Sequence, residues 1–490
     1  MARLTTQAGG VSLGRGVAAA TGLATVMVLS RLLSREDYGT YRQIWVIFFL
    51  LAPIMELGLT QSASFFGAQL VREKCKTYIA QNGLVLLASG ILSSLALLSF
   101  AAPISRLFEN PDLILPLRAF AIFFAFALPF DLVENLLVAL GRAGSSGVIT
   151  AVSATVQAAI TLAAFLSGAS LTQVFLYLTL FACIRWLVAV AIFLRVYRDH
   201  LVYWNWAEMR EQLIFSLPIG AAFMVGLLGR QLDKVIVSAN FPTERFAVYA
   251  NGSYDIPLIN IVTLSVTAVL VPTIVRARAA GDIGEIQRVW HGAARRVATL
   301  FYPVFAFLLI SARPFMIILF SEEYAESAAP FRVFLFLFPI RIAFHNGLQR
   351  ALGRTRQIFL CSAASLVISV VVALLLVRVS WIGILGPAIA AVLAAYFAAG
   401  YVIVDCSRAL HWRWGEYFPW KILVRIMGVA LLAALPAAAA GWLLRDASAL
   451  VQFVVMGVVY AAGYLALGET TRTARTREWL DVARDVLRQR

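Results

Sequence analysis

Long apolar runs, separated by short polar segments, cover most of the chain. Each run is continuous and close to the roughly 20 residues that an α-helix needs to cross a bilayer. Strands of a transmembrane β-barrel would alternate apolar and polar positions, so the pattern predicts helices instead. It gives fourteen candidate spans, near residues 11–33, 40–68, 78–104, 113–140, 147–167, 170–195, 213–239, 246–275, 291–319, 329–352, 358–378, 381–405, 421–444 and 448–468.

Composition supports the same fold class. Of the 490 residues, 61% are hydrophobic and only 14% are charged, whereas soluble domains are nearer half apolar and a quarter charged. The first apolar run is too long for a cleavable signal and leads straight into another span. The sequence therefore predicts an all-α polytopic membrane protein with about fourteen transmembrane helices.

The net charge of +15 reflects topology and does not indicate nucleic acid as a partner. Basic residues lie in the short segments between spans, as expected where they set the orientation of a membrane protein. With a cytoplasmic N-terminus, about 27 basic residues fall inside and about 12 outside. Both termini are predicted to be cytoplasmic.

Two short segments recur along the chain. SREDYGTY at 34–41 is echoed by PTERFAVY at 242–249, and ALGR at 139–142 returns at 351–354. The agreement in order and spacing predicts a duplicated unit. The predicted domains are an N-terminal six-helix lobe (1–200), a C-terminal six-helix lobe (201–410), two additional transmembrane helices (411–470) and a cytoplasmic amphipathic tail (471–490).

Motifs for catalysis and cofactor binding are absent from the sequence. There is no P-loop, no HExxH pair and no GxSxG elbow, and neither the histidines nor the cysteines cluster. We therefore expect no catalytic residue, no metal and no cofactor. Polymerases and ligases of surface glycans usually need a sizeable outer domain, which the short loops do not provide, so a transporter is the better class.

Ionisable residues within the predicted spans are the candidate functional groups. Lipid does not solvate such groups, so they normally face a protein interior or an aqueous cavity. Arginine offers a planar fork of donors that suits phosphate, and carboxylates bind protons or sodium. The candidates for substrate binding are Arg230, Arg341, Arg185 and His345, and those for ion coupling or charge pairing are Glu56, Asp131, Glu134, Asp233 and Asp255.

Structural roles stay open for several of these residues. Arg230 and Asp233 share a helical face and could simply neutralise each other, and Lys234 could extend its charge towards the membrane surface. Arg341 lies near the middle of its span, which favours a cavity role. For Arg185 a cavity role and an interfacial role are equally open.

The acidic candidates have similar alternatives. Asp131 and Glu134 follow Pro129 on one helical face, where both could pair with a buried arginine. Asp255 precedes Pro257, which can kink its helix and expose backbone carbonyls.

Short motifs along the chain, through about residue 405, resemble one family. The chain is similar to the polysaccharide (Wzx-type, O-antigen or exopolysaccharide) flippases of the multidrug/oligosaccharidyl-lipid/polysaccharide (MOP) exporter superfamily. The motifs are LSREDYGTY at 33–41, MELGLTQS at 55–62, LP at 217–218, DK at 233–234, VYA at 248–250, VPTI at 271–274, AAGDIGE at 279–285 and the two ALGR segments.

The resemblance implies two pseudo-symmetric six-helix bundles in a V around a central cationic cavity, plus two C-terminal helices. Rocking of the lobes would move an undecaprenyl-diphosphate-linked oligosaccharide across the bacterial inner membrane, coupled to H⁺ or Na⁺ rather than to ATP. Arg230, Arg341 and Arg185 would hold the diphosphate. Membrane lipids and a polysaccharide polymerase or export machinery are the other implied partners.

One departure and two alternatives qualify this resemblance. Lipid II flippases carry an Arg-Asp pair in the first helix, whereas ATGLATV at 20–26 is uncharged, which disfavours a dedicated lipid II flippase. A multidrug cation antiporter on the same scaffold is the main alternative, although a basic cavity argues against it. A membrane-embedded glycan polymerase or ligase is the third.

Overall fold

The chain is helical throughout the residues that the computed structural model describes, which are 2–69, 72–196, 203–254, 256–343 and 347–471. No β-strand occurs in these ranges. Eleven helices among them are long and apolar enough to cross a membrane, or twelve if one bent pair counts as a span. The predicted all-α, multi-pass membrane fold is therefore confirmed, while the number fourteen stays a prediction.

The chain divides into two compact units, Met1–Ala247 and Val248–Arg490. The predicted lobes, with a boundary at residue 200, and their V-shaped arrangement stay predictions. The first unit contains a 3₁₀ turn, Pro111–Leu113, and ten helices followed by α11, which crosses the division. They are α1 Ala2–Leu32, α2 Arg35–Met55, α3 Leu59–Gln69, α4 Arg72–Leu107, α5 Ile114–Ala121, α6 Phe123–Ala139, α7 Ala143–Leu166, α8 Leu171–Val196, α9 Trp206–Leu228, α10 Leu232–Asn240 and α11 Thr243–Gly252.

The second unit is built around α13, the longest helix described. The C-terminal helices α19 and α20 pack on α13 through a core that includes Ala306, Ala433 and Tyr460. The helices are α12 Pro257–Ala279, α13 Ile283–Phe320, α14 Ala328–Leu335, α15 Leu337–Ile340, α16 Gly347–Ala351, α17 Thr355–Leu376, α18 Gly386–Leu410, α19 Trp420–Leu443 and α20 Ala449–Thr470, with 3₁₀ turns at Glu322–Ser327, Arg341–Ala343, Gly383–Leu385 and Trp414–Glu416.

Several predicted spans are broken helices. The span predicted at 40–68 divides into α2 and α3, because Leu57 and Gly58 adopt φ of 52° and 73°, outside the right-handed helical range. The span predicted at 213–239 divides into α9 and α10 at residues 229–231. The span predicted at 113–140 bends by 50° between α5 and α6. Hydropathy averaged over a whole span does not reveal such breaks, because the apolar residues on either side outweigh Glu56 at the first break and Arg230 at the second.

Glycines allow helices of the first unit to approach closely. A β-carbon on Gly14 of α1 would lie 2.2 Å from the backbone oxygen of Gly147 on α7, and one on Gly58 would lie 2.1 Å from the backbone oxygen of Ser216 on α9. Small residues allow such backbone contact between membrane helices.

Buried polar groups accompany the close approach of α9 to α3 and α4. The Ser216 hydroxyl donates to the Ser62 hydroxyl at 2.6 Å, and Asn82 Nδ2 donates to Gln212 Oε1 at 2.7 Å. All four side chains are buried. These bonds hold α9 beside the break between α2 and α3, at which the first candidate residue lies.

Candidate functional site

Glu56 lies at the break between α2 and α3. The break turns the chain so that the first residues of α3 reach back to the carboxylate: the Thr60 hydroxyl and Gln61 Nε2 both donate to Glu56 Oε2, the latter at 2.7 Å. The carboxylate is half-buried. Two donors therefore hold it in place without an ion pair in the part of the chain that the structure describes.

Asp131 and Glu134 share one face of α6, as predicted. Glu134 Oε2 accepts a hydrogen bond from the Thr150 hydroxyl of α7 at 2.9 Å, and the Ser146 hydroxyl donates to the backbone oxygen of Glu134 at 3.0 Å. Asp131 interacts electrostatically with Glu56, Glu134 and an arginine of α8. The structure thus brings Glu56, from the α2–α3 break, and Glu134 of α6 within electrostatic range of Asp131.

The arginine of α8 is Arg185, and its guanidinium lies over two aromatic rings. Its central carbon lies 3.9 Å from the centroid of the Phe130 ring and 5.8 Å from that of Phe181. Asp131 and Glu134 act on it electrostatically. Within the described ranges, however, the guanidinium forms no ion pair, and its buried Nε has no hydrogen-bond partner. Cation–π contact orients the group while leaving its donors unused.

We call Glu56, Asp131, Glu134 and Arg185 the Arg185 cluster. It contains three carboxylates and one guanidinium, all half-buried and all within predicted spans. Because charge is costly at membrane depth, such a group is expected to face a protein interior or an aqueous cavity. Chemically, the cluster is able to bind an anion through Arg185 or a cation through its carboxylates.

Arg230 and Asp233 lie at and just after the break between α9 and α10. Lys234 Nζ is 3.4 Å from Asp233 Oδ1 and donates to the backbone oxygen of Arg230 at 2.9 Å. The Asp233 carboxylate is buried, whereas the Arg230 side chain is exposed. The structure therefore shows the lysine beside the buried carboxylate and leaves Arg230 at the surface of the unit.

Arg341 belongs to the second unit, and its side chain is buried. It begins the 3₁₀ turn Arg341–Ala343 directly after α15. It borders a small pocket together with Tyr254, Phe331 and Phe338. Two further predicted residues, Asp255 and His345, lie outside the described residues.

Sequence reasoning missed a buried polar network in the second unit. Arg354 donates to both carboxylate oxygens of Asp405, with Nε at 2.8 Å from Oδ2, and Gln349 Nε2 donates to Oδ2 at 2.9 Å. These hydrogen bonds to Asp405 raise the pKa of the Arg354 guanidinium above its ordinary value. The ALGR repeat marked Arg354, but no pattern indicated that Asp405, at the end of a predicted span, would meet it.

The acidic, histidine and cysteine side chains in the described ranges form no group of three or more that could hold a metal ion. The candidate site residues described above are guanidinium and carboxylate groups. A guanidinium binds and releases an anionic ligand, and a carboxylate binds and releases a cation or a proton.

Comparison with solved structures identifies the fold. The structure described as "Lipid II flippase MurJ, inward closed conformation" superposes with a TM-score of 0.72 at 12% identity, covering 94% of this chain and 99% of that one. An inward-facing multidrug resistance MATE transporter of the MOP superfamily gives 0.64 at 15% identity, over 80% and 94% of the two chains. A MOP superfamily transporter from Pyrococcus furiosus, described as having a binding pocket of reverse polarity, gives 0.60 at 16% identity, over 84% and 95%.

Sequence comparison identifies the family. The family described as "Polysaccharide biosynthesis protein" matches residues 28–329, which is more than half of the chain. No curated protein sequence matches significantly. The chain thus belongs to the polysaccharide biosynthesis protein family and has the fold of the MOP superfamily of transporters and flippases.

Proposed function

We propose that this protein is a flippase that moves an undecaprenyl-diphosphate-linked oligosaccharide across the bacterial inner membrane by alternating access. Family membership supports a role in polysaccharide biosynthesis, and the fold supports translocation rather than catalysis. The observation that carries the proposal is Arg185, a guanidinium at membrane depth whose buried Nε makes no hydrogen bond in the part of the chain that the structure describes.

Arg185 suits a diphosphate for three reasons. Its fork of N–H donors matches two phosphate oxygens at once, and its charge persists at any physiological pH. Its contact with Phe130 fixes the plane of the fork before the ligand arrives, which reduces the entropy lost on binding. In the second unit, Arg341 is the corresponding candidate, because it is buried beside a pocket.

The carboxylates around Arg185 provide a means of coupling to an ion gradient. With all three ionised, the Arg185 cluster is net negative and disfavours a diphosphate. With all three protonated, it is net positive and favours one. Cargo affinity would therefore depend on the protonation of Glu56, Asp131 and Glu134, which would link cargo binding to a proton gradient. Na⁺ in place of H⁺ would act in the same direction.

We place both termini in the cytoplasm, name membrane lipids and a polysaccharide polymerase or export machinery as partners, and infer that the protein is not an enzyme. The similar solved structures are described as a flippase and as transporters, which supports that inference.

A multidrug or small-molecule cation antiporter is the second candidate. The specific observation in its favour is the excess of acid in the Arg185 cluster, where three carboxylates accompany one guanidinium. A lipophilic cation would be attracted to those carboxylates and to the aromatic rings of Phe130 and Phe181. Which charge dominates depends on the protonation of the carboxylates.

Reconstitution in liposomes separates the two candidates. Proteoliposomes would receive a polyprenyl-diphosphate oligosaccharide in one leaflet, and an impermeant glycosidase would report its appearance in the other. A parallel set would be tested for uptake of a lipophilic cationic dye. We expect protein-dependent movement of the lipid-linked oligosaccharide and no saturable dye uptake. Dye uptake without movement of the oligosaccharide would reject the flippase and support the antiporter.

A further inference from the structure

The segment between α18 and α19 presents a dense basic and tryptophan-rich surface. Two tryptophans there are strongly exposed, Trp414 at 52% and Trp420 at 40%. Four basic side chains of the same stretch are also exposed. We call this surface the 408–425 patch; its members are Arg408, Arg413, Trp414, Trp420, Lys421 and Arg425.

The two acidic side chains near the patch, Asp405 and Glu416, both accept hydrogen bonds within the protein. The Asp405 carboxylate is buried and held by Arg354 and Gln349. The Glu416 carboxylate accepts the backbone N–H of Arg413 at 2.8 Å. Within the described part of the chain, the four basic side chains of the patch form no ion pair. Arg408 does interact electrostatically with Asp405. The patch therefore keeps a net positive charge for an external partner.

The patch is held in a fixed shape. Tyr417 and Phe418 are buried against Trp290 of α13, with ring centroids 5.5 and 5.9 Å from that of the tryptophan. Gln287 Nε2 and His291 Nε2 also contact the backbone oxygen of Glu416, at 3.1 and 2.8 Å. A surface anchored at its centre in this way presents its charges without first having to be ordered.

The position of the patch indicates its partner. The helices on either side, α18 and α19, are both long and apolar enough to cross a membrane. Residues that connect their ends lie at the level of the lipid headgroups, where tryptophan is favoured and where basic side chains meet phosphate. We propose that the 408–425 patch binds the headgroups of anionic phospholipids. Two exposed indole rings beside the charges favour a lipid over a soluble acidic peptide, which would need only the charges.

Lipid titration of the full-length protein tests this proposal. The protein in neutral-detergent micelles would be titrated with phosphatidylglycerol or with phosphatidylcholine of the same acyl chains, and bound lipid counted by native mass spectrometry. We expect the wild type to prefer phosphatidylglycerol, and we expect added salt to weaken that preference. The double variant Arg413→Gln/Lys421→Gln should bind phosphatidylglycerol roughly tenfold more weakly.

A matched control removes two exposed basic residues elsewhere, Arg106→Gln/Arg118→Gln, and should keep the wild-type preference. Inorganic phosphate should not displace the lipid at equal concentration, because it lacks the acyl chains that anchor the headgroup. The proposal would be overturned if both double variants lost phosphatidylglycerol binding equally or if the preference for phosphatidylglycerol did not depend on salt. Tighter binding of a polyglutamate peptide than of phosphatidylglycerol would also overturn it.

Discussion

Gly141 and Gly353 adopt the same left-handed backbone conformation, with φ of 73° and 68°, in the two ALGR turns. In each turn the next residue, Arg142 or Arg354, donates its backbone N–H to a carbonyl of the preceding helix, at 2.8 or 2.9 Å. Glycine ends many helices in this conformation because a β-carbon is disfavoured there. The two ALGR segments that recur in the sequence therefore form the same kind of turn, while the internal duplication stays a prediction.

The conformation of Gly353 predicts the effect of its replacement. A β-carbon there would meet only Arg278 Nη1, at 4.0 Å, so strain would come from the backbone and not from a clash. Gly353→Ala should lower the free energy of unfolding by about 1 kcal/mol. Gly353→Asn should cost less, because asparagine tolerates the left-handed region. Thermal unfolding of the purified variants measures both; equal stability of Gly353→Ala and wild type would contradict the turn geometry.

Close packing of α9 against the α2–α3 break predicts a second pair of variants. A β-carbon on Gly220 would lie 2.6 Å from the backbone nitrogen of Gly58, whereas one on Gly226 of the same helix would meet no atom within 4 Å. Gly220→Ala should therefore cost about 1–3 kcal/mol of stability. Gly226→Ala should be neutral or slightly stabilising. Chemical denaturation of both variants in detergent compares them, and similar stabilities would show that the helices do not approach this closely.

The buried network around Asp405 predicts strong coupling between two residues. Asp405→Asn leaves the Arg354 fork without its charged partner, and Arg354→Gln leaves a carboxylate without compensation. Because Arg354 remains one-third exposed, we expect each change to cost about 1–3 kcal/mol rather than the full cost of a buried charge. The double variant should cost less than the sum of the two. A double-mutant cycle on unfolding free energies provides the measurement, and additive costs would exclude a direct interaction.

Hydropathy allowed the sequence to predict the helices but not their breaks. The all-α membrane fold class follows from hydropathy and composition. The breaks at Glu56–Gly58 and at 229–231 do not, because hydropathy contains no record of tertiary contacts such as the close approach of Gly58 to Ser216 and Gly220 at the first break. Broken helices are tolerated at membrane depth only where neighbouring groups satisfy the freed backbone.

Sequence reasoning named candidate site residues one by one but did not predict how they are arranged. Periodicity placed Asp131 and Glu134 on one face of a helix, and the structure confirms that spacing. Periodicity could not show that the α2–α3 break and α8 bring Glu56 and Arg185 within electrostatic range of Asp131, because the proximity of distant segments leaves no local pattern. The same limit applies to the pairing of Arg354 with Asp405.

Coupling through the Arg185 cluster predicts a specific defect in Glu56→Gln. The amide is similar in size to the carboxylate and keeps contact with Thr60 and Gln61, but it does not take up a proton. Binding of a polyprenyl-diphosphate oligosaccharide should be retained, whereas acceleration of flipping by an imposed pH gradient should fall severalfold. Glu36→Gln, an exposed change in the first turn of α2, provides the control. A gradient response that persists unchanged in Glu56→Gln would remove this residue from the coupling mechanism.

Binding of a polyprenyl-diphosphate oligosaccharide to Arg185 variants shows whether Arg185 holds the diphosphate. The affinities of purified wild type, Arg185→Gln and Arg185→Lys would be compared, with Arg195→Gln on the same helix as the control for loss of charge. Loss of charged hydrogen bonds to the diphosphate should weaken binding about tenfold or more in Arg185→Gln and less in Arg185→Lys, while Arg195→Gln should bind like the wild type. Equal affinity in all four proteins would contradict the assignment of Arg185 to the diphosphate.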